Sequence, residues 1–342
     1  MLPVLFHLPV WPLLILAGLT AGLWIADGFK LKSGALYGVG ALGSAAALLL
    51  GARMGWLSQS LPIQGYGTMI LGGFLLGVWM ARRRAQCIGV DPRHCMEIGL
   101  WGVLGGLTGA RLFHVLDHWP AYDPFGDAGL HGVARMFAVW EGGLVFFGAF
   151  LGGPLAAILY CRHHRLPVVP FLDMAAPSLM AGQAVGRIGC LMRGCCFGRE
   201  TTGALSIRFP AEAEAYLDQV ARHAIEHGAS HTLPLIPTQI YASIGAALIA
   251  AFLYAYWPRR RFDGQIFGLL LLMAAVTRFF EEFLRADTPP AFPVFSDSLT
   301  IAQWFSFGLM SAGVVWLIVF RSRETLYRPP PSTPAGPHTL TG

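Results

Sequence analysis

Apolar residues fall in runs of about twenty along nearly all of the chain, separated by short polar loops. About twenty apolar residues cross a bilayer as one helix. On that rule the pattern predicts nine helices, at roughly 9–26, 35–52, 63–83, 95–117, 142–161, 170–190, 236–257, 264–285 and 299–320. The third and fifth runs are the clearest, and the fourth and sixth are rich in glycine. The first run, Leu13 to Ile25, follows no basic segment and precedes no small-residue cleavage site. It is therefore expected to persist as a spanning helix rather than to act as a cleaved leader.

The polar loops carry a charge pattern of their own. Lys30 and Lys32 follow the first run, Arg82, Arg83, Arg84 and Arg93 the third, and Arg162 and Arg165 the fifth. Arg259, Arg260 and Arg261 follow the seventh, and Arg321 and Arg323 the ninth. Short basic loops stay on the cytoplasmic side. The pattern thus predicts an N-terminus outside and a C-terminus in the cytoplasm. Two outer loops are long. Residues 193–235 read as a small extracytoplasmic head, with a short strand over Ala204–Phe209 and a helix over Ala211–His227. Residues 117–141, with Pro120, Pro124, Gly126 and Gly129, read as an irregular arm. The proline-rich gap after the eighth run reads as a rigid loop, and residues 324–342 as a disordered cytoplasmic tail.

Composition agrees with this all-α, polytopic membrane reading. Of the 342 residues 55% are hydrophobic and 13% charged, against about 25% charged in soluble domains. The net charge of +5 resides in membrane-flanking loops and is not a nucleic-acid signal. Six cysteines without a Cys-x2-Cys pair and further ligands predict no metal site, and no cofactor motif is visible.

Five polar clusters interrupt the apolar background. One is Gln64-Gly65-Tyr66-Gly67 at the start of the third run, where a tyrosine also suits the interfacial belt. Another is Gly109-Ala110-Arg111 inside the fourth run, whose arginine either serves a ligand or snorkels to a structural partner. A third is Trp140-Glu141-Gly142-Gly143, before the fifth helix. A fourth runs from Arg278 through Glu281, Glu282 and Arg285 to Asp287; Arg278 and Glu282 are four apart and share a helix face. The fifth, Gly186 to Arg199, holds three arginines, three cysteines and four glycines at the end of an apolar run. An arginine at the lip of a bilayer calls for an anionic partner, and glycine lets backbone approach it closely. Arg187, Arg278 and Arg285 fall in the outer half of the membrane, where they can bind phosphate bidentately and offset charge on a departing phosphate. The clusters point to a phosphate-bearing lipid; no inverted repeat points to transport.

In their order and spacing these clusters resemble the prolipoprotein diacylglyceryl transferase family. The matching residues are Gly65-Tyr66-Gly67, Gly109-Ala110-Arg111, Trp140-Glu141-Gly142-Gly143, Gly186-Arg187-Ile188-Gly189 with Gly194 and Gly198, Pro237-Thr238-Gln239-Ile240-Tyr241, and Arg278 through Arg285. The resemblance covers roughly residues 63–321. It implies a seven-helix core over 63–323, including the head, preceded by an extension, 1–62, with two further helices. The opening Leu2 to Pro9 is similar to the start of the family core, as if two helices followed as an insertion. It also implies a reaction of bacterial inner-membrane lipoprotein maturation. A diacylglyceryl group passes from phosphatidylglycerol to the lipobox cysteine of a prolipoprotein signal peptide, a thioether forms, and glycerol phosphate leaves. On this resemblance Arg187, Arg278, Tyr66 and Glu282 are the expected catalytic residues. Arg187, Gly142, Gly143, Gly186, Gly189, Gly198, Gln239, Arg285 and Arg111 are the expected substrate-binding residues. The family often places histidine where this chain has Phe147, asparagine at Cys190 and glutamate at Cys195. A lipid-binding homologue with a different acceptor is therefore the second reading. Cys190 with Cys195 or Cys196 either pair as an outer disulfide or line a groove as small residues.

Overall fold

The computed structural model describes residues 4–9, 60–122, 132, 135–138, 142–286, 290–292 and 296–322. The first two predicted helices, the tail, Trp140, Glu141 and Asp287 lie outside these residues. The described chain is mainly helical, with two small antiparallel sheets. Strand β1 (Val4–Pro9) pairs with β2 (Ser60–Gln64). Helices α1 (Gly65–Ala85), α2 (Arg93–Asp117), α3 (Phe146–His163) and α4 (Val168–Arg193) follow. Then come the short α5 (Glu214–Ala221), α6 (Thr238–Tyr256) and α7 (Gln265–Leu284). Strands β3 (Pro290–Phe292) and β4 (Ser296–Thr300) precede α8 (Ile301–Arg321).

Seven of the nine predicted segments thus recur as long helices, displaced by a few residues. The third was expected from residue 63, but Ile63 and Gln64 are held in the ladder with Phe6 and Val4, so α1 begins at Gly65. The same register sets Pro9 opposite Ser60. Among the described residues, three helices are long and apolar enough to cross a membrane: Val168–Arg193, Thr238–Arg259 and Ile301–Arg321. Helix α7 carries Arg278, Glu281 and Glu282, and α1 is diluted by glycine and ends in three arginines, which lowers their apolar character. Large apolar side chains such as Leu104, Leu155, Leu248 and Ile318 are more than half exposed, as expected where lipid is the neighbour. This is a membrane protein.

By internal contacts the chain divides into two units. The first takes residues 1–69, 192–195 and 208–233, and the second residues 70–191, 196–207 and 234–342. In the first unit, Gly65 lies against Met192 and Gly194 (φ +71°) against Ala213 and Phe209. The Gln219 side chain, fully buried, accepts from the Leu233 amide at 2.9 Å. The helix expected over 211–227 contracts to α5, because His223 turns into the left-handed region at φ +57°.

In the second unit, small residues set the helix crossings. Gly105 and Gly109 of α2 face Gly148 and Gly152 of α3, each pair four residues apart and so on one helix face. A Cβ added at Gly105 would stand 2.6 Å from the Gly152 carbonyl oxygen. Such stripes let helix backbones touch in lipid, where no hydrophobic drive separates helix from tail. Gly73 of α1 meets Gly182 of α4 the same way. Around these crossings Ile88, Met174, Leu253 and Ile266 are fully buried. Asp173 of α4, also fully buried, accepts from the Gly264 amide at 2.7 Å and the Phe267 amide at 2.8 Å. One helix thereby supplies the cap for the orphan amides at the start of α7.

The strand expected over Ala204–Phe209 is not formed. Ile207 makes a single bridge to Leu235, exchanging both 2.9 Å hydrogen bonds. The amides that would extend the ladder are taken by side chains: Phe209 donates to the Thr232 hydroxyl and Leu233 to the Gln219 carbonyl, both at 2.9 Å. Conversely, the rigid loop expected after the eighth segment contains a pairing of β3 with β4.

Candidate active site

The described residues bring together three of the arginines singled out in the sequence. Arg187 projects from α4, Arg278 from α7, and Arg285 follows the end of α7. Two glutamates of α7 meet them. Glu281 lies 3.8 Å from Arg187, and Glu282 lies 2.7 Å from Arg278 and 3.9 Å from Arg285. The helical period explains the arrangement, since positions 278, 282 and 285 form one stripe, with 281 at its edge. The Glu282 side chain has no exposed surface and also accepts from the Thr300 hydroxyl at 2.8 Å.

The cluster is held from outside α7 as well. Gly198 bridges to Arg285, the Arg199 amide donates to the Leu284 carbonyl at 2.8 Å, and the Arg199 side chain to the Arg285 carbonyl at 3.2 Å. A Cβ at Gly198 would collide with Ile236 and Thr238, so only glycine lets this segment lie there. Thr238 donates to the Cys196 carbonyl at 2.7 Å, and Gln239, next along α6, is 1% exposed. Gly186 and Gly189 flank Arg187 on α4, and Gly189 is buried.

Among the described residues, three arginines face two glutamates here. The Nη1 of Arg278 is buried and finds no hydrogen-bond partner among the described residues. A buried donor without a partner costs on the order of 1–3 kcal/mol, and an anionic oxygen arriving there would recover it. The arrangement can bind a phosphate and offset charge that grows on it.

Arg111 has a different setting. It is 5% exposed, and its guanidinium is committed to main-chain carbonyls. Nε donates to Met136 at 3.0 Å, Nη2 to Arg135 at 2.5 Å, and Nη1 to Gly142 at 2.7 Å and Gly143 at 3.2 Å. Both glycines have positive φ, +86° and +69°. A side chain at Gly143 would strike the His114 ring and come within 2.9 Å of Arg111 Nη1. Arg111 therefore shapes the Gly142-Gly143 turn. Helix α3 starts just beyond it, and Phe147 and Phe150 pack edge-on against Phe305 of α8. Phe305 follows Thr300, the residue that caps α8 and donates to Glu282.

Tyr66 belongs to the first unit, where the Arg193 guanidinium lies over its ring at 5.3 Å and is itself paired with Glu214 at 2.6 Å. Cys190 and Cys196, both of the second unit, bring their sulfurs within 4.8 Å. Sequence reasoning placed Glu281 in this cluster without giving it a role, and passed over Thr300, which has a readable signal in the capping box Thr300-x-x-Gln303.

Comparison with known proteins agrees with this geometry. The profile of the family described as prolipoprotein diacylglyceryl transferase matches residues 54–319. A phosphatidylglycerol–prolipoprotein diacylglyceryl transferase of Clostridium tetani is 30% identical over 234 residues, 66% of this chain and 82% of its own length. The protein of that name from Ralstonia pickettii is 32% identical over 277 residues, 75% of this chain and 89% of its own. The one from Mycolicibacterium paratuberculosis is 33% identical over 236 residues, 68% of this chain but 54% of its own. With the profile spanning more than half the chain, and with the arginine and glycine clusters falling inside it, the chain belongs to the prolipoprotein diacylglyceryl transferase family.

Proposed function

We propose that the protein transfers the diacylglyceryl group of phosphatidylglycerol to the cysteine thiol of a prolipoprotein lipobox. The observation that carries this reading is the Arg187–Glu281, Arg278–Glu282–Arg285 cluster, in which the buried Nη1 of Arg278 has no hydrogen-bond partner among the described residues. In the reaction, cysteine sulfur bonds to the glycerol carbon as the carbon–oxygen bond to phosphate breaks. Glycerol phosphate departs with the electron pair, and the thiol proton is released. Arg187 and Arg278 hold the phosphate and oppose the charge that grows on its bridging oxygen, an interaction stronger in the transition state than in the ground state. Arg285 adds to the field, and Glu282 fixes Arg278 and Arg285. The turn at Gly142 and Gly143, set by Arg111, and the close backbone at Gly186, Gly189 and Gly198 border the bound lipid, with Gln239 as a polar contact. For Tyr66, a role in orienting the head group rests on the family resemblance alone.

The same reading places the protein in the bacterial inner membrane with nine spanning helices, seven of them the family core, the N-terminus outside and the C-terminus cytoplasmic. The basic-loop pattern supports this orientation. The relatives' names favour the transferase over a lipid-binding homologue with another acceptor.

The test supplies purified protein with phosphatidylglycerol and a lipobox peptide and measures glycerol phosphate release. Release is expected from the wild type and should vanish in Arg187→Ala. Arg187→Lys should lose most of it, since a point charge does not replace the planar fork. Absence of release by the wild type, with lipid still bound, would favour the second reading.

A further inference from the structure

Away from the arginine–glutamate cluster, a groove of about 420 Å³ lies between α1 and the start of α2, both in the second unit. Leu75, Val78, Trp79, Arg82, Arg83 and Gln86 line it from α1 and its end, and Pro92 and Met96 from the start of α2. The spacing of the α1 residues, 75, 78, 79, 82 and 83, is that of one helix face. The face is graded. It is apolar at Leu75 and Val78, aromatic at Trp79, and cationic at Arg82 and Arg83. Arg83 lies over the Trp79 ring at 5.1 Å. From Leu75 to Arg82 the helix rises about 10 Å, at 1.5 Å per residue. An amphiphile with a tail beside Leu75 and Met96 and an anionic head beside the arginines matches this gradient in both length and polarity.

Retention of α1 on the cytoplasmic side would by itself account for arginines here, but it needs no groove and no particular rotamer. Arg84 shows the contrast. It turns inward, donates to the Tyr254 carbonyl at 2.5 Å, and stacks on the Tyr254 ring at 3.8 Å. Arg82 and Arg83 remain exposed at the groove. Burying their stems on apolar surface while the heads stay at the interface is the usual habit of arginine beside a bilayer. Basic residues at that level attract anionic lipid.

We infer that this groove is a second lipid site, occupied by one anionic phospholipid of the leaflet that faces the arginine-bearing helix ends. Its tail lies along Leu75, Val78 and Met96, and its phosphate between Arg82 and Arg83. The site does not depend on the transferase reading, and its lipid is structural rather than consumed.

Native mass spectrometry of the full chain in detergent tests this, with phosphatidylserine as an anionic probe and phosphatidylcholine as the neutral one. The wild type is expected to retain phosphatidylserine in preference, and glycerol phosphate should not displace it, because the tail contributes to binding. Two variants should each weaken retention about tenfold. Arg82→Lys with Arg83→Lys keeps the charge that sets orientation but loses bidentate geometry. Leu75→Trp fills the groove and leaves every charge in place. Unchanged retention in both variants would overturn the proposal. So would loss in the lysine variant alone, since surface charge without a groove would then account for binding. Displacement by glycerol phosphate would likewise overturn it, assigning the site to a free phosphate.

Discussion

Replacing Glu282 by glutamine removes one charge and leaves the shape almost unchanged. In the structure this carboxylate has no exposed surface, pairs with Arg278 at 2.7 Å and Arg285 at 3.9 Å, and accepts from Thr300 at 2.8 Å. Removing one partner of a buried pair costs about 3–5 kcal/mol, because the other charge stays buried. Here the Arg278 side chain is 28% exposed and that of Arg285 12%, so solvent or lipid phosphate takes up part of the stranded charge. An estimate of about 2–3 kcal/mol follows, including the weaker hydrogen bond from Thr300 to a neutral amide. At roughly 2–4 °C per kcal/mol, Tm should fall by about 5–10 °C in detergent. Glycerol phosphate release should fall at least tenfold, as Arg278 loses the group that fixes it. A cycle with Arg278→Gln separates the pair from its surroundings. The double variant should be more stable than the sum of the single losses predicts, by about 1–3 kcal/mol. A Glu282→Gln protein with Tm within ~1 °C of wild type, or strictly additive losses, would refute the claim that Glu282 neutralises a buried arginine.

Two further perturbations test the scaffold around the site. Gly148→Val should push α3 off α2, because the added side chain meets the Gly109 backbone. Overpacking of this kind costs about 1–3 kcal/mol, to be read as a lower Tm, and an unchanged Tm would contradict the close crossing. Gly143→Ala should reduce transfer several-fold, whereas Gly142→Ala should reduce it less. Both bear positive φ, costing about 1–2 kcal/mol, but a side chain at Gly143 also strikes His114 and Arg111 while Gly142 faces open space. Equal activity in the two variants would refute the idea that Arg111 and His114 define that turn.

What could be read in advance follows from the range of each signal. Helix positions came from runs of about twenty apolar residues, a local pattern that tertiary packing rarely overrides in a membrane. The stripe Arg278, Glu282, Arg285 was equally legible, because the helical period makes neighbours of those positions. The pairing of Arg187 with Glu281 was not, since it joins α4 to α7 across more than ninety positions in the chain. Asp173 sits in an apolar run, and its purpose becomes visible only when the start of α7 arrives beside it. The short strand at 204–209 does not form because the amides of Phe209 and Leu233 donate to the side chains of Thr232 and Gln219, partners that alternation along 204–209 does not reveal.

Arginine type alone does not mark a phosphate site; the number of donors left over does. A guanidinium has five N–H groups. Arg111 makes four hydrogen bonds to carbonyls of its own chain and is buried by them, so a phosphate would have to break the turn to reach it. Arg278 has its charge partly answered by Glu282 but keeps a buried nitrogen with no acceptor among the described residues. Arg187 meets Glu281 at 3.8 Å, longer than a hydrogen bond, so the contact balances charge and leaves the fork open. The two carboxylates thus hold the arginines in place at a modest desolvation cost without saturating them. On the proposed function that division suits Arg187 and Arg278 to the lipid phosphate, while the open choice for Arg111 between a ligand and a structural partner falls to the main-chain carbonyls it holds.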